Sequence, residues 1–248
     1  MEKHFLPRLA NPLLEISKYM SVNECRIFYT GLMALRNRII EGRPACRMLL
    51  PTQELLSMFG GNKGYYQEIK KITVRLAERT VTFNKRRHPL FEMIEFLPEK
   101  GGLYMMFCPR LGPLMSDMSR RSYLPLVAAA AFVLSSMYGI RLLELLLQYQ
   151  QHPMFASSGE IRVAYCLEDL KSSLNVPRTC TYEQITNLRH KVLNPAVVDI
   201  NLHTGYDMSY EAIKEGRRVS AILLMLKPKQ IQAQQPSGQQ EVQQVSQA

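Results

Sequence analysis

The richest chemistry-bearing pattern lies between residues 178 and 193. Ile185, Leu188 and Val192 recur at i, i+3 and i+7, which predicts a helix over 181–193 with one stripe against a core. The opposite face then carries Thr181, Gln184, Asn187 and Lys191. Gln and Asn can pair two hydrogen bonds with an adenine edge, while Lys and Arg reach guanine or phosphate. Arg178 and Thr179 precede the helix, where its first turn would meet a phosphate, and Arg189 and His190 flank it. Any amphipathic surface helix shows polar residues, so the pattern alone does not decide. What points to DNA is an acid-poor face combined with Lys214, Arg217 and Arg218 around the turn Lys214-Glu215-Gly216-Arg217.

A second basic set precedes it. The apolar residues Ile69, Ile72 and Leu76 predict a helix over 65–79, beside which Lys63, Lys70, Lys71 and Arg75 stand with Tyr65 and Gln67. Lys85, Arg86 and Arg87, followed by His88, form a further cluster, readable either as a DNA contact or as a solvated turn. Point charges of this kind suit phosphates and carry little sequence information. Residues 1–118 hold 18 basic against 11 acidic side chains and residues 119–248 hold 13 against 10. The first set is therefore expected to grip backbone and the second to read bases.

Catalytic chemistry finds little material, and no catalytic residue, metal or cofactor is expected. Residues 60–64 (GGNKG) lack the spacing and hydroxyl of a phosphate-cradling loop. The five His show no HxH or HExxH arrangement, and Tyr104 and Tyr123 have no histidine pair with which a nicking nuclease would hold its metal. Glu168 and Asp169 suit the start of a helix. The five cysteines contain no CxxC pair, which disfavours a zinc site and a disulfide framework, and Cys108 and Cys166 are expected in the core. A reducing cytoplasm fits this usage, and the first 20 residues carry acids and prolines where a signal peptide needs an apolar run.

The 248 residues, 46% of them hydrophobic, suffice for two packed domains, and the net charge of +10 makes a polyanion the first partner to consider. Self-similarity supports a duplication. At an offset of 115, SVNECRIFYTGL from Ser21 lies over SMYGIRLLELLL from Ser136, pairing Ser21 with Ser136 and Arg26 with Arg141. TQELL (52–56) falls over LEDLK (167–171), and with one residue of slack YQEIKKITVRLAERTV (66–81) falls over YEQITNLRHKVLNPAV (182–197). Each copy then reads as a long helix (about 21–40; about 135–151), a short helix (52–58; 167–174), a turn, a third helix and a hairpin. The hairpins are FEMIEFL with LYMMFCP, and YDMSYEAI with RVSAILLML. That order is a winged helix, so the expected class is α+β: tandem winged-helix domains over 1–120 and 121–229. Residues 230–248, with nine glutamines, read as a disordered tail. The uncharged run at 124–140 is at the short limit for a membrane span and reads better as two buried helices in a soluble chain with no membrane partner.

At this point the sequence resembles a family. LPTQELLSMFG, YYQEIKKITVRLAERTVTFN, SSMYGIRLLELLLQYQ and IRVAYCLEDLKSSLNV…YEQITNLRHKVLNPAVVDIN look like the iteron-binding replication initiators (Rep proteins) of theta-replicating plasmids. The resemblance covers nearly all of residues 5–227. Its most specific pieces are SMYGIRLLEL at 136–145 and the run at 168–196. Within the first, Tyr138, Arg141 and Glu144 are expected to brace the domain junction rather than touch a base. Leu143 stands where an aromatic is common, and Pro195 is expected to end the recognition helix.

The resemblance implies a bacterial, plasmid-associated cytoplasmic protein that binds direct repeats at an origin as a monomer. It implies help in melting the origin and recruitment of a host initiator and replicative helicase. It also implies a dimer, formed through the N-terminal domain, that binds an inverted repeat in an operator and represses the protein's own gene; no catalytic step belongs to the family. Two readings compete: an enzyme of replication, and a winged-helix repressor without an initiation role. For the dimer surface, the first hairpin offers apolar residues on both faces, among them Phe91, Met93, Met105 and Phe107. The rival is the heptad Leu6, Leu13, Met20, which Pro7 and Pro12 interrupt.

Overall fold

The computed structural model describes residues 16–41, 47–60, 64–152, 155, 158–179, 182 and 184–229. The expectations for Lys63, Thr181, Leu6, Leu13 and the tail 230–248 lie outside them.

The first long helix, α1 (Val22–Ile40), begins where a serine can cap it. Ser21 accepts the Glu24 backbone N–H, and the Glu24 carboxylate accepts the Ser21 N–H at 2.7 Å, a reciprocal capping box. Glu24 is buried, which alone would raise its pKa. The backbone and hydroxyl of Ser21 and the Arg79 guanidinium outweigh that cost and hold the carboxyl below its usual value. After β1 (Met48–Pro51) come α2 (Thr52–Met58) and α3 (Tyr65–Ala77), whose Ile69, Ile72 and Leu76 are fully buried as their spacing requires.

β2 (Thr80–Phe83) and β3 (Arg86–Pro89) form a two-stranded antiparallel ribbon. Asn84 and Lys85 turn it with φ of 50° and 62°, the left-handed pair that a tight hairpin needs. Of the cluster Lys85-Arg86-Arg87-His88, Lys85 thus lies in the turn and the other three on β3. β4 (Phe91–Leu97) and β5 (Gly102–Phe107) then complete a three-stranded sheet in the order β1-β5-β4.

Gly102 makes this sheet possible. Its φ is +153°, and a Cβ there would stand 2.1 Å from the Leu50 carbonyl oxygen of β1. Gly102→Ala is expected to cost about 2 kcal/mol or more, because both backbone strain and a backbone clash must be relieved. Urea unfolding measures it; a loss within a few tenths of a kcal/mol would mean that the strand ends are not held this closely.

The charge-poor stretch divides as expected into α5 (Leu124–Val133) and α6 (Met137–Leu147), preceded by α4 (Gly112–Arg120). No helix among the described residues is long and apolar enough to cross a membrane. Ser136 caps α6 by accepting the Gly139 N–H, so the Ser21/Ser136 match in the repeat marks equivalent helix starts.

The second copy repeats the scheme. β6 (Ile161–Cys166) leads into α7 (Leu167–Ser173), and β7 (Tyr206–Glu215) and β8 (Arg218–Pro228) close a sheet in the order β6-β8-β7. First strand beside last, last beside middle, is the same topology as β1-β5-β4, and the β2–β3 ribbon is an addition to the first copy. Cys166 is not core: it is half-buried and its sulfur accepts the Asp169 N–H, capping α7.

Pro195 does not end the third helix. The chain runs through α8 (Ile185–Leu188), a wide π turn (Arg189–Leu193) and α9 (Asn194–His203). A proline ring would collide with the carbonyl four residues back in a regular helix. The wide turn just before it gives that carbonyl room, so helix continues to His203.

Candidate nucleic-acid interface

In the second copy Leu188 and Val192 are fully buried and Ile185 is half-buried against the core, which leaves the expected polar residues on the outer side. Gln184, Arg189, His190 and Lys191 are exposed, and Asn187 is half-buried. Gln184 is the N-cap of α8, yet its side chain makes no capping bond, so its amide is not consumed at the helix start. Arg178 and Thr179 are exposed just ahead of it. Lys214, Arg217 and Arg218 are exposed at the tip of the β7–β8 wing, where Gly216 (φ +62°) makes the turn.

The helix and wing are joined by contacts that sequence reasoning missed. Arg189 lies over the Tyr210 ring at 5.8 Å and its Nε donates to the Tyr210 hydroxyl at 3.2 Å. That hydroxyl in turn donates to Asn194 at 2.5 Å. Arg189 is therefore steered by the wing. Nothing in the spacing of Tyr210 could reveal this, because the wing's register sets it. Deeper down, Asn201 exchanges two hydrogen bonds with the Met208 backbone, at 2.9 and 2.6 Å, clipping α9 to β7.

α9 also reaches back to α6. The Asp199 carboxylate, 7% exposed, accepts the backbone N–H groups of Ser135 and Ser136 at 3.0 and 2.8 Å. A carboxylate at this helix start complements the unpaired N–H groups there. The residues that extend the helix past Pro195 thus hold it against α6.

In the first copy Lys70 and Lys71 are exposed on α3. Arg75 is exposed as well, but its guanidinium sits 3.6 Å from Glu24 and 3.4 Å from Glu68. Its charge is engaged within the chain, so Lys70 and Lys71 are the stronger phosphate candidates. Lys85, Arg86 and Arg87 project from the ribbon, with Arg87 donating to the Thr80 hydroxyl at 2.5 Å.

The apolar hairpin face expected for a dimer is not available. Phe91, Met105 and Phe107 are buried in the chain's own core, and the Phe91 and Phe107 rings stack at 4.7 Å. α1 presses so closely that a Cβ on Gly31 would meet the Met105 sulfur at 2.6 Å. Of the four, Met93 alone is half-buried, on the outer face, where Arg47 contacts its sulfur at 3.1 Å. A Lys at Met105 or Phe107 would report on folding rather than on association.

Arg141 and Glu144 brace the junction as expected. Both are about 1% exposed and paired with each other. Ser17, ahead of α1, donates to Glu144 at 3.1 Å and accepts from Arg141 at 2.5 Å, while Arg141 also donates to the Ser173 carbonyl of α7 at 3.2 Å. Tyr138 is half-buried against the same core. The repeat partner of Arg141, Arg26, donates to the Ala131 and Phe132 carbonyls at the end of α5. Cys25 and Cys108 are buried free thiols, and burial together with the Glu144 charge pushes Cys25 up. Among the described residues no cluster of three metal-ligating side chains occurs.

Two copies of helix, strand, helix, helix and wing, each showing the outer side of its third helix, define a tandem winged-helix protein. Family models described as the initiator replication protein WH1 and the initiator Rep protein WH2 match residues 8–147 and 167–225, and the chain belongs to this family of initiator Rep proteins. A solved structure of the Pi initiator protein in complex with iteron DNA superposes with a TM-score of 0.68. It is 17% identical and the match covers 89% of this chain and 96% of that one, a likeness of fold. Comparison with curated protein sequences gives no match.

Proposed function

We propose that this chain initiates plasmid replication by binding directly repeated origin sequences, with the second winged helix reading bases and the first gripping backbone. The observation that carries this is the acid-poor outer face of exposed Gln184 and Lys191 with half-buried Asn187, beside the basic wing tip, in a chain of the initiator Rep family. The Pi initiator protein, which shares the fold, is solved on iteron DNA. No catalytic step is assigned to the chain. It would bind as a monomer, open the adjacent origin duplex and recruit a host initiator and replicative helicase. A dimer would bind the operator inverted repeat and repress the chain's own gene. Footprinting on plasmid DNA bearing tandem direct repeats of about one to two helical turns, against a scrambled duplex, tests the binding. Supplying the protein in trans to a plasmid that carries those repeats tests initiation. Protected repeats without plasmid maintenance would favour the repressor reading.

The proposed division of labour makes a separate prediction. Lys70→Ala with Lys71→Ala should weaken binding to repeat and scrambled DNA about equally and lower the salt slope by roughly one to two units, near 0.9 per lost phosphate contact. An unchanged slope with lost sequence preference would show the two domains' roles to be reversed.

A further inference from the structure

In the second copy the hairpin β7–β8 ends in a basic tip, whereas its topological equivalent in the first copy, β4–β5, does not. Residues 91–107 carry Glu92, Glu95 and Glu99, all exposed, against Lys100 as their one cation. The inserted ribbon β2–β3 has the reverse balance. No acidic residue occurs from Arg79 to Phe91, and Lys85, Arg86 and Arg87 are exposed at its far end. Resting on the DNA-binding reading above, we propose that the ribbon is the first copy's working wing, a contact for the phosphodiester backbone in place of β4–β5.

The chemistry fits a phosphate backbone. The Lys85 and Arg86 side chains engage no carboxylate among the described residues. Arg87 donates its Nε–H to the Thr80 hydroxyl, which lays the guanidinium along the ribbon and leaves its terminal N–H groups for a partner. Arg86 stands opposite Phe83 and Arg87 opposite Thr82, so the two arginines leave opposite faces of the ribbon. With Lys85 in the turn between them, the tip is basic on both sides. A projecting tip of this kind suits an extended polyanion rather than an enclosed small anion.

The ribbon is also anchored, as a two-stranded hairpin must be to hold a shape in water. Val81 and His88, directly opposite each other, are buried at its root. Leu90, fully buried, donates its N–H to the Arg79 carbonyl at 2.7 Å, and its own carbonyl accepts the Cys108 N–H at 3.1 Å. Arg79 in turn pairs with the buried Glu24 at 3.1 Å. The root is thus tied to α1 and to the end of β5, and the cations ride on a fixed arm. Its place along the chain puts that arm beside the helix already assigned to phosphates. Only Glu78 and Arg79 separate α3 from β2, and the chain from Lys71 to Thr80 spans at most about 20 Å. A duplex seated on Lys70 and Lys71 therefore meets the ribbon's root within one turn of about 34 Å.

The test uses the full chain and duplexes with and without the direct repeat, in fluorescence anisotropy across a salt series. Lys85→Asn with Arg86→Gln removes two charges while asparagine keeps the left-handed turn. This variant should bind both duplexes about tenfold more weakly or worse and lower the salt slope by roughly two units, with the repeat-to-scrambled ratio unchanged. Lys100→Gln, at the tip of β4–β5, should leave affinity and slope at the wild-type values. Phosphate-ethylation interference should show sensitive phosphates that the ribbon variant abolishes and that Lys70→Ala with Lys71→Ala retains. Wild-type affinity and slope in the ribbon variant, with the wild type binding the repeat normally, would overturn the ribbon's role while leaving DNA binding intact. Loss of slope in Lys100→Gln instead would return the wing to β4–β5 and overturn the proposal. A wild type that binds neither duplex would overturn both readings. Unchanged DNA affinity in the ribbon variant, with plasmid maintenance in trans lost, would reassign the ribbon to an acidic protein partner.

Discussion

Glu144→Ala is expected to destabilise the chain by about 3–5 kcal/mol, because it leaves the buried Arg141 guanidinium without its carboxylate. Both side chains are about 1% exposed, far from the solvent screening that reduces surface pairs to a fraction of a kcal/mol. The loss comes from the stranded charge more than from the attraction removed. A double replacement by apolar residues of similar volume, Arg141→Met with Glu144→Leu, should therefore cost less than Glu144→Ala alone. Part of the cost would remain, since Ser17 and the Ser173 carbonyl would each lose a partner. Urea unfolding of the three proteins measures the cycle. A Glu144→Ala cost below about 1 kcal/mol, or a double variant worse than the single, would mean that the pair is solvated and braces nothing.

The same pair shows what was legible in the sequence and why. Arg141 and Glu144 stand at i and i+3 inside an otherwise apolar helix, and charges in such a place must meet each other or strand. The repeat paired Ser21 with Ser136, and only the folded chain shows why: each caps its helix. The partners were not readable: Ser17 comes from 124 residues away, and only the folded chain brings it to Arg141.

The misses have equally specific causes. The β2–β3 ribbon was hidden because its turn is Asn84-Lys85 rather than Asn-Gly, so the strongest hairpin signal is missing although the backbone geometry is the same. The hairpin 91–107 looked apolar on both faces because Met93, Tyr104 and Met106 alternate with Ile94, Leu103, Met105 and Phe107. The register Ile94 opposite Met105 and Met93 opposite Met106 sorts them into a buried face and an outer one. Pro195 looked like a terminator because local rules forbid a proline inside a regular helix. The π turn is a tertiary solution, held by Asp199 on α6 and Asn201 on β7, and no local pattern encodes it.

That extended helix matters for recognition, since it fixes the pose from which Gln184 and Asn187 face solvent. Gln184→Ala and Asn187→Ala should each relax discrimination at one or two base positions by about 1–3 kcal/mol, with non-specific binding nearly intact. Gln184 should have the larger effect. It is exposed and free of capping duty, whereas Asn187 is half-buried and has fewer ways to approach a base edge. Arg189→Ala should behave differently from both. Its guanidinium is tied to Tyr210, so its loss should be matched by Tyr210→Phe in part, through a wing no longer held to the helix. Competition footprinting of single-base variants of the repeat separates these outcomes. Equal loss on repeat and scrambled DNA for Gln184→Ala would show that this side chain does not read a base, and would move sequence reading from α8 to the wing.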